Sequence, residues 1–412
     1  MADRHVDHLL IGGGIASATA AAALREASAT GSVLLVGREL DAPYHRPPAT
    51  KGYLQGASTK ADALVHHAGW WAEHEVELAT RTSVTALDTA ARTATLSTKQ
   101  TVSYDTALLA TGAMVRRLSL PGTELDGLHY VRALMNADLL KRDLDAAGAE
   151  HVVVVGGSYL GCELAASLTA LGRRCTVLML EEEPMERGFG AAVGRHVRAV
   201  LEAHGITVRG GVDVEGFAGG ERIERVLLAG GEQLPADAVV AGVGATPDVM
   251  TARKAGLAIG PLGGVACDAG LRTSAQSVWA AGDICEYASV LHGRSVRIEH
   301  EDVAAKQGAH AARAMLGADA PYADVPYFWT DLADWARLEH VGAAADWAAE
   351  EWDGDPTSGA FSVRYLDAGG HLVAALAAGG GRNLDAARDE LAARATSRYT
   401  TSSSLPEPDP SA

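Results

Sequence analysis

Cysteine is scarce. There are 4 in 412 residues, Cys162, Cys175, Cys267 and Cys285, and none forms a CxxC pair. That spacing argues against a disulfide scaffold and against a thiolate zinc site, and no metal centre is expected. Aromatic residues make up 5% of the chain, so the core must rest mostly on Ala, Val and Leu. Basic residues are outnumbered, 35 Lys and Arg against 52 Asp and Glu, for a net charge of −17. This argues against nucleic acid as the main partner, because phosphate binding needs clustered cations. No apolar run reaches the roughly 18 residues of a membrane span. The first apolar stretch, Val6 to Ala23, is broken by Asp7, His8 and three glycines, and it lacks the basic leader of a secretion signal. A cytoplasmic protein is expected, and nothing in the sequence fixes an oligomeric state.

What the chain does contain is glycine, 46 residues, some of it in two matching places. The apolar run His8-Leu9-Leu10-Ile11 leads into Gly12-Gly13-Gly14-Ile15-Ala16-Ser17 and then an Ala-rich helical stretch to Leu24. Further on, Val152 to Val155 leads into Gly156-Gly157-Ser158-Tyr159-Leu160-Gly161 and a second helical stretch, Glu163 to Leu171. Strand, glycine-rich turn and helix in that order form the dinucleotide-binding fingerprint. The glycines let the backbone approach a pyrophosphate, and the helix N-terminus offers it unpaired N–H groups. Ser17 stands at the third glycine position of the first copy and Ser158 at the second of the other, and both are small enough to be tolerated. One such turn is weak evidence. Two, each between a strand and a helix, are much stronger.

The second strand of each unit should end in an acid for the adenosine ribose. In the first unit Ser32 to Gly37 ends at Arg38-Glu39, which makes Glu39 the candidate. In the second, Cys175 to Leu180 ends at Glu181-Glu182-Glu183. Three acids there accept ribose hydroxyls and repel a 2′-phosphate, which predicts NADH over NADPH.

Further segments carry a family resemblance. Pro43 to Lys51 (PYHRPPATK), Tyr104-Asp105 with Leu108 to Ala113, Leu271 to Asp283, and Pro326 to Asp331 (PYFWTD) resemble, in the same order, motifs of FAD-dependent ferredoxin, putidaredoxin and rubredoxin reductases. The resemblance covers about residues 6 to 395. It implies an α/β fold with two Rossmann-like domains, for FAD and NADH, and a smaller α+β C-terminal domain. FAD would contact Gly12, Gly14, Ser17, Glu39, Arg46, Lys51, Ala110, Thr111, Gly112, Asp283, His300 and Trp329. Lys51 would lie near the isoalloxazine and Trp329 over the opposite face. NADH would contact Gly156, Ser158, Tyr159, Gly161, Glu163, Glu181 and Gly244, with Glu163 near the nicotinamide and paired with Lys51. Lys51 and Glu163 are therefore the candidate catalytic residues. Val296 to Asp302 (VRIEHED) is closer to a segment of apoptosis-inducing factors and monodehydroascorbate reductases, where the residue matching His300 lies near the flavin.

The same resemblance orders the chain into an FAD domain at 1–115 and 243–320, an NADH domain at 116–242 and a C-terminal domain at 321–396, and the Ser-, Thr- and Pro-rich composition of 397–412 predicts a disordered tail. Disulfide reductases of the wider superfamily relay electrons through cysteine, either soon after the first glycine turn or as CxxC in the NADH unit. Residues 30 to 60 contain no cysteine. The leading expectation is an NADH-dependent flavoprotein reductase delivering electrons to a ferredoxin or rubredoxin for an oxygenase or cytochrome P-450. Arg116, Arg117, Arg294, Arg297, Lys306 and Arg313 are candidate docking cations. A small oxidant such as a quinone or organic radical, or a slow-turnover redox-responsive binding protein, are the alternatives.

Overall fold

Val33-Leu34-Leu35-Val36 offers no polar face, which suits a parallel strand covered on both sides. In the computed structural model, which describes residues 2–344, 346–380 and 383–401, all four are buried. The strand Arg4–Ile11 flanks it on one side and Val76–Ala79 on the other, both parallel to it. Thr101–Leu109 pairs with the other edge of Arg4–Ile11, placing Leu10 opposite Leu108. Thr93–Leu96 and Val84–Asp88 extend the sheet antiparallel. Val278–Ala280, from far along the chain, joins Thr101–Leu109 in parallel.

The helix after the first glycine turn, Ile15–Glu26, is rich in alanine because another helix packs closely upon it. Its neighbour is Glu301–Met315, where Gly308 lies so close to Ala16 that a Cβ would collide with the Ala16 carbonyl. Thr19 Oγ1 donates to Ala305 O at 2.9 Å across the same contact.

A second parallel sheet repeats the plan. Its order is Thr207–Arg209, Arg174–Leu178, His151–Val155, Ala238–Ala241, Leu128–His129. His151–Val155 is buried throughout, and the helix Tyr159–Ala170 follows its glycine turn. A small antiparallel sheet, Val214–Gly219, Ile223–Leu228 and Gln233–Pro235, covers this unit. The chain passes between the two parallel sheets through a ribbon in which Ala113–Val115 pairs antiparallel with Ala245–Pro247.

The last region is an antiparallel sheet ordered Tyr327–Leu332, Ala336–Gly342, Leu372–Ala378, Ala360–Leu366, Ala349–Asp355. Phe361, Val363, Tyr365 and Leu376 share a core with Phe189, Val193 and Val197 of the second unit. Leu366, Leu372 and Ala375 pack instead with Ala387, Leu391 and Ala395 of the final helix. That helix spans Asp385–Thr401. The expected disordered tail therefore begins too early at 397, because Asp385 to Thr401 contains no glycine or proline to stop a helix. Residues 402–412 of the expected tail lie outside the described residues. No helix among the described residues is long and apolar enough to cross a membrane.

Candidate active site

Both glycine turns open toward one cleft of about 410 Å³. Gly12 has φ +129°, and a Cβ on it would run into the Ala110 carbonyl, so only glycine suits this position. The helix beyond has Gly14 at its N-cap, with no side chain capping it and open space where a Cβ would stand. Its first N–H groups are thus available to an anion. From the first unit the cleft is lined by Gly12, Gly14, Glu39, Arg46, Lys51, Ala110, Thr111, Gly112, Asp283 and His300. From the second unit come Ser158, Tyr159 and Glu163, from the connection after it Gly244, and from the last sheet Trp329.

Four expected residues stand elsewhere. Ser17 is fully buried, and its hydroxyl has no hydrogen-bond partner. Gly156 and Gly161 sit behind the second turn, where a Cβ on Gly161 would strike the Gly156 carbonyl. These three shape helix–strand packing. Glu181 lies past the end of Arg174–Leu178, outside the cleft lining, and pairs with Arg187.

Lys51 ties the regions around the cleft together. Its Nζ is 3.1 Å from Glu163 Oε1 and 2.9 Å from Asp331 Oδ2, so it joins the first unit, the second unit and the last sheet. Glu163 is 4% exposed. Thr50 Oγ1 donates to its Oε2 at 2.7 Å, and Thr330 Oγ1 to its Oε1 at 2.8 Å. Burial pushes the Glu163 carboxyl above the usual range, although the Lys51 ammonium and the two hydroxyls oppose this. Tyr327–Leu332 makes the arrangement possible by strand alternation: Thr330 points to buried Glu163, while Trp329 and Asp331 face Lys51. Lys51 Nζ lies 5.5 Å from the Trp329 ring centre, and the Arg337 guanidinium 5.7 Å from it.

A second polar group holds the other end. Glu39 pairs with Arg46 and accepts from the Tyr44 hydroxyl at 2.5 Å. Burial alone would raise the Glu39 carboxyl, but the Arg46 charge and hydrogen bonds hold it below the ordinary range. Glu39 and Arg46, both expected to contact FAD, are thus in direct contact. Asp283 Oδ2 meets Arg132 Nη2 at 3.2 Å.

An aromatic stack closes the cleft between these groups. His300 stacks on Phe328 with ring centres 4.6 Å apart, and Phe328 touches Tyr159 at 4.5 Å. His300 Nδ1 is buried without a hydrogen-bond partner, and burial pushes the imidazole down to about 4, so it is neutral at pH 7. Tyr159 is pushed up to about 12 by burial and remains a phenol.

The pyridine nucleotide-disulphide oxidoreductase model matches residues 6–308. The chain belongs to that family. A 5,5'-dehydrodivanillate O-demethylase ferredoxin reductase subunit from Sphingobium is 36% identical over 377 residues, covering 90% of this chain and 89% of that protein. The ferredoxin–NAD(+) reductase component of an anthranilate 1,2-dioxygenase system from Burkholderia cepacia is 33% identical over 390 residues, 94% of each chain. The covalent putidaredoxin reductase–putidaredoxin complex contains a chain of similar structure, with TM-score 0.88, 28% identity, and coverage of 96% of this chain and 94% of that one.

This oxidoreductase uses FAD and NADH. Its residues fit them: two glycine turns, an uncapped helix N-terminus and an unpartnered His300 Nδ1 all converge on the cleft. No cysteine is among the residues lining the cleft, despite the disulphide in the family's name. All four cysteines are buried, and burial pushes the Cys162 thiol far up and Cys175 up to about 11. Such thiols are inert.

Sequence reading singled out neither Thr50, Thr330 nor Asp331 for a role, although all three stand inside the motifs PPATK and PYFWTD. It also overstated the docking cations. Arg297 turns inward to Glu299 and to the Asp283 carbonyl, and Lys306 pairs with Asp302 at 2.7 Å. Arg116, Arg117, Arg294 and Arg313 are exposed.

Proposed function

We propose that the protein takes electrons from NADH and delivers them, through FAD, to a small iron–sulfur protein of the ferredoxin or rubredoxin kind that serves an oxygenase or cytochrome P-450. One observation carries this reading. Both nucleotide turns lead to the Lys51–Glu163–Asp331 centre in a cleft lined by no cysteine, so electrons entering it leave to an outside acceptor. The names of the relatives agree with such an acceptor.

When bound, FAD would supply two-electron uptake from NADH and one-electron release, which suits a one-electron carrier. The chain supplies position and electrostatics. Gly12 and Gly14 would admit the pyrophosphate of FAD, and Arg46 and Asp283 would hold its polar part. Lys51, held by two carboxylates, presents a fixed positive charge at the reacting end, and Glu163 sets its place. Neutral His300 can donate or accept one hydrogen bond there without adding charge. Tyr159 and Trp329 line the same cleft and would limit the entry of water.

We further assign 1–115 with 243–320 to FAD, 116–242 to NADH and 321–396 to a C-terminal domain, in a cytoplasmic protein. Steady-state reduction of a [2Fe–2S] ferredoxin by NADH across a salt series tests the acceptor. Ferredoxins are acidic, so docking on exposed arginines requires the rate to fall steeply with salt. A salt-independent rate together with fast quinone reduction would favour a small oxidant instead.

A further inference from the structure

Lys51 faces two carboxylates, and a second cation takes the other oxygen of one of them. We infer that Arg337 is a positioning residue for the uptake of electrons from NADH: acting through Asp331, it balances the charge of that carboxylate and keeps the Lys51 ammonium effective at the cleft. The inference rests on the proposed place of Lys51 at the reacting end of the bound flavin.

Strand register places the residue. Tyr327–Leu332 and Ala336–Gly342 are antiparallel neighbours, and their pairing sets Arg337 directly opposite Asp331, where opposite charges attract. Asp331 Oδ1 meets Arg337 Nη1 at 3.3 Å, while its Oδ2 meets Lys51 Nζ at 2.9 Å. Each oxygen of one carboxylate thus takes one cation. The Trp329 ring is shared in the same way, with Lys51 Nζ 5.5 Å and the Arg337 guanidinium carbon 5.7 Å from its centre. Arg337 Nη2 also donates to the Tyr327 hydroxyl at 3.4 Å and lies 3.6 Å from Glu339 Oε1. Trp335, in the turn that joins the two strands, stacks on His204 of the second unit with ring centres 3.9 Å apart, which anchors the hairpin.

Charge decides the consequence. Lys51 and Arg337 together balance Glu163 and Asp331, while Glu339 is the most exposed of the three carboxylates and is the best solvated. Without Arg337, one ammonium would face two carboxylates, and Asp331 would draw it away from Glu163. Taking up an electron pair builds negative charge at this end of the cleft, and an excess carboxylate opposes that. Removing Asp331's charge should do the reverse. The Arg337 side chain is 52% exposed against 15% for Lys51, so its influence is smaller than that of Lys51 and is screened by salt.

The test uses the full-length flavoprotein as wild type, Arg337→Gln, Arg337→Lys, Asp331→Asn, Asp331→Asn/Arg337→Gln and Lys51→Ala. The flavin midpoint potential is read by spectroelectrochemistry at low and high salt. Reduction by NADH and reoxidation by neutral benzoquinone are read by anaerobic stopped flow. Arg337→Gln should shift the equilibrium between NADH and bound flavin toward NADH by at least about 3-fold at low salt, and by less at high salt. Its reduction should slow by a similar factor while its reoxidation does not slow. Asp331→Asn should shift the equilibrium the other way, the double variant should return it to within about 2-fold of wild type, and Arg337→Lys should hold it there. A potential that Arg337→Gln leaves in place, an equal shift in Arg337→Lys, or a double variant no nearer wild type than Arg337→Gln overturns the inference while leaving the proposed function intact. If Lys51→Ala also leaves the potential and the reduction rate unchanged, the proposed role of Lys51 falls with it. Arg337→Met provides the same comparison if Arg337→Gln does not fold.

Discussion

The two glycine-turn units share a plan but differ in how they hold their acid. In the first, Glu39 is locked by Arg46 and Tyr44 inside the cleft. In the second, Glu181 pairs with Arg187 on an accessible rim. The helix after the first turn packs against Glu301–Met315. The second has the exposed Ser158 as its N-cap. A locked acid suits a cofactor that stays, and an accessible one suits a nucleotide that leaves each turnover, which agrees with the proposed assignment of FAD to the first unit and NADH to the second. Glu163 and Lys51 are where the two units meet.

The largest effect should come from the first turn. Gly12→Ala forces a side chain into the Ala110 carbonyl at a φ of +129°, a cost of about 1–3 kcal/mol in strain alone. It should purify with little flavin and a lowered Tm, whereas Gly14→Ala, with open space around it, should retain flavin far better. Equal flavin content in the two would break the comparison. Next, Lys51→Ala and Glu163→Gln should each slow reduction by NADH about 10- to 100-fold while leaving flavin content near wild type. Unchanged rates in both would remove these residues from the reaction.

A smaller effect concerns pH. Burial pushes His300 down to about 4 and His340 to about 3, with His300 adding to the shift at His340. Each takes up its proton near pH 6.5 when unfolded but much lower when folded. Stability from keeping them neutral is therefore present above about pH 6.5 and is lost as pH falls toward 4. His340→Phe should flatten that acid slope by up to about 1.4 kcal/mol per pH unit in urea titrations. The smallest effect is expected at Ser17→Ala. It removes a buried hydroxyl that has no partner, so stability should change by less than about 1 kcal/mol and flavin content not at all.

Much of this was legible in the sequence, because strand, glycine turn and helix are local and each residue's neighbours lie close in the chain. The pairing of Lys51 with Glu163 came through the family motif. What was not legible depends on contacts across the fold. Asp331 reaches Lys51 only because the last sheet folds back over the cleft, and Thr330 reaches Glu163 only through the alternation of that strand. The Glu39–Arg46 ion pair joins two expected FAD contacts whose pairing with each other no motif indicated. Arg297 looks like a surface cation in the sequence and becomes a bridge to Glu299 and a backbone carbonyl in the fold.

The most direct test is anaerobic stopped-flow spectroscopy of the purified protein mixed with NADH and, separately, NADPH, followed by an oxidised [2Fe–2S] ferredoxin. Rapid bleaching of the flavin band with NADH, little with NADPH, and recovery of the band on adding ferredoxin is the expected result. A colourless protein, or a flavin that NADH does not bleach, would contradict the account.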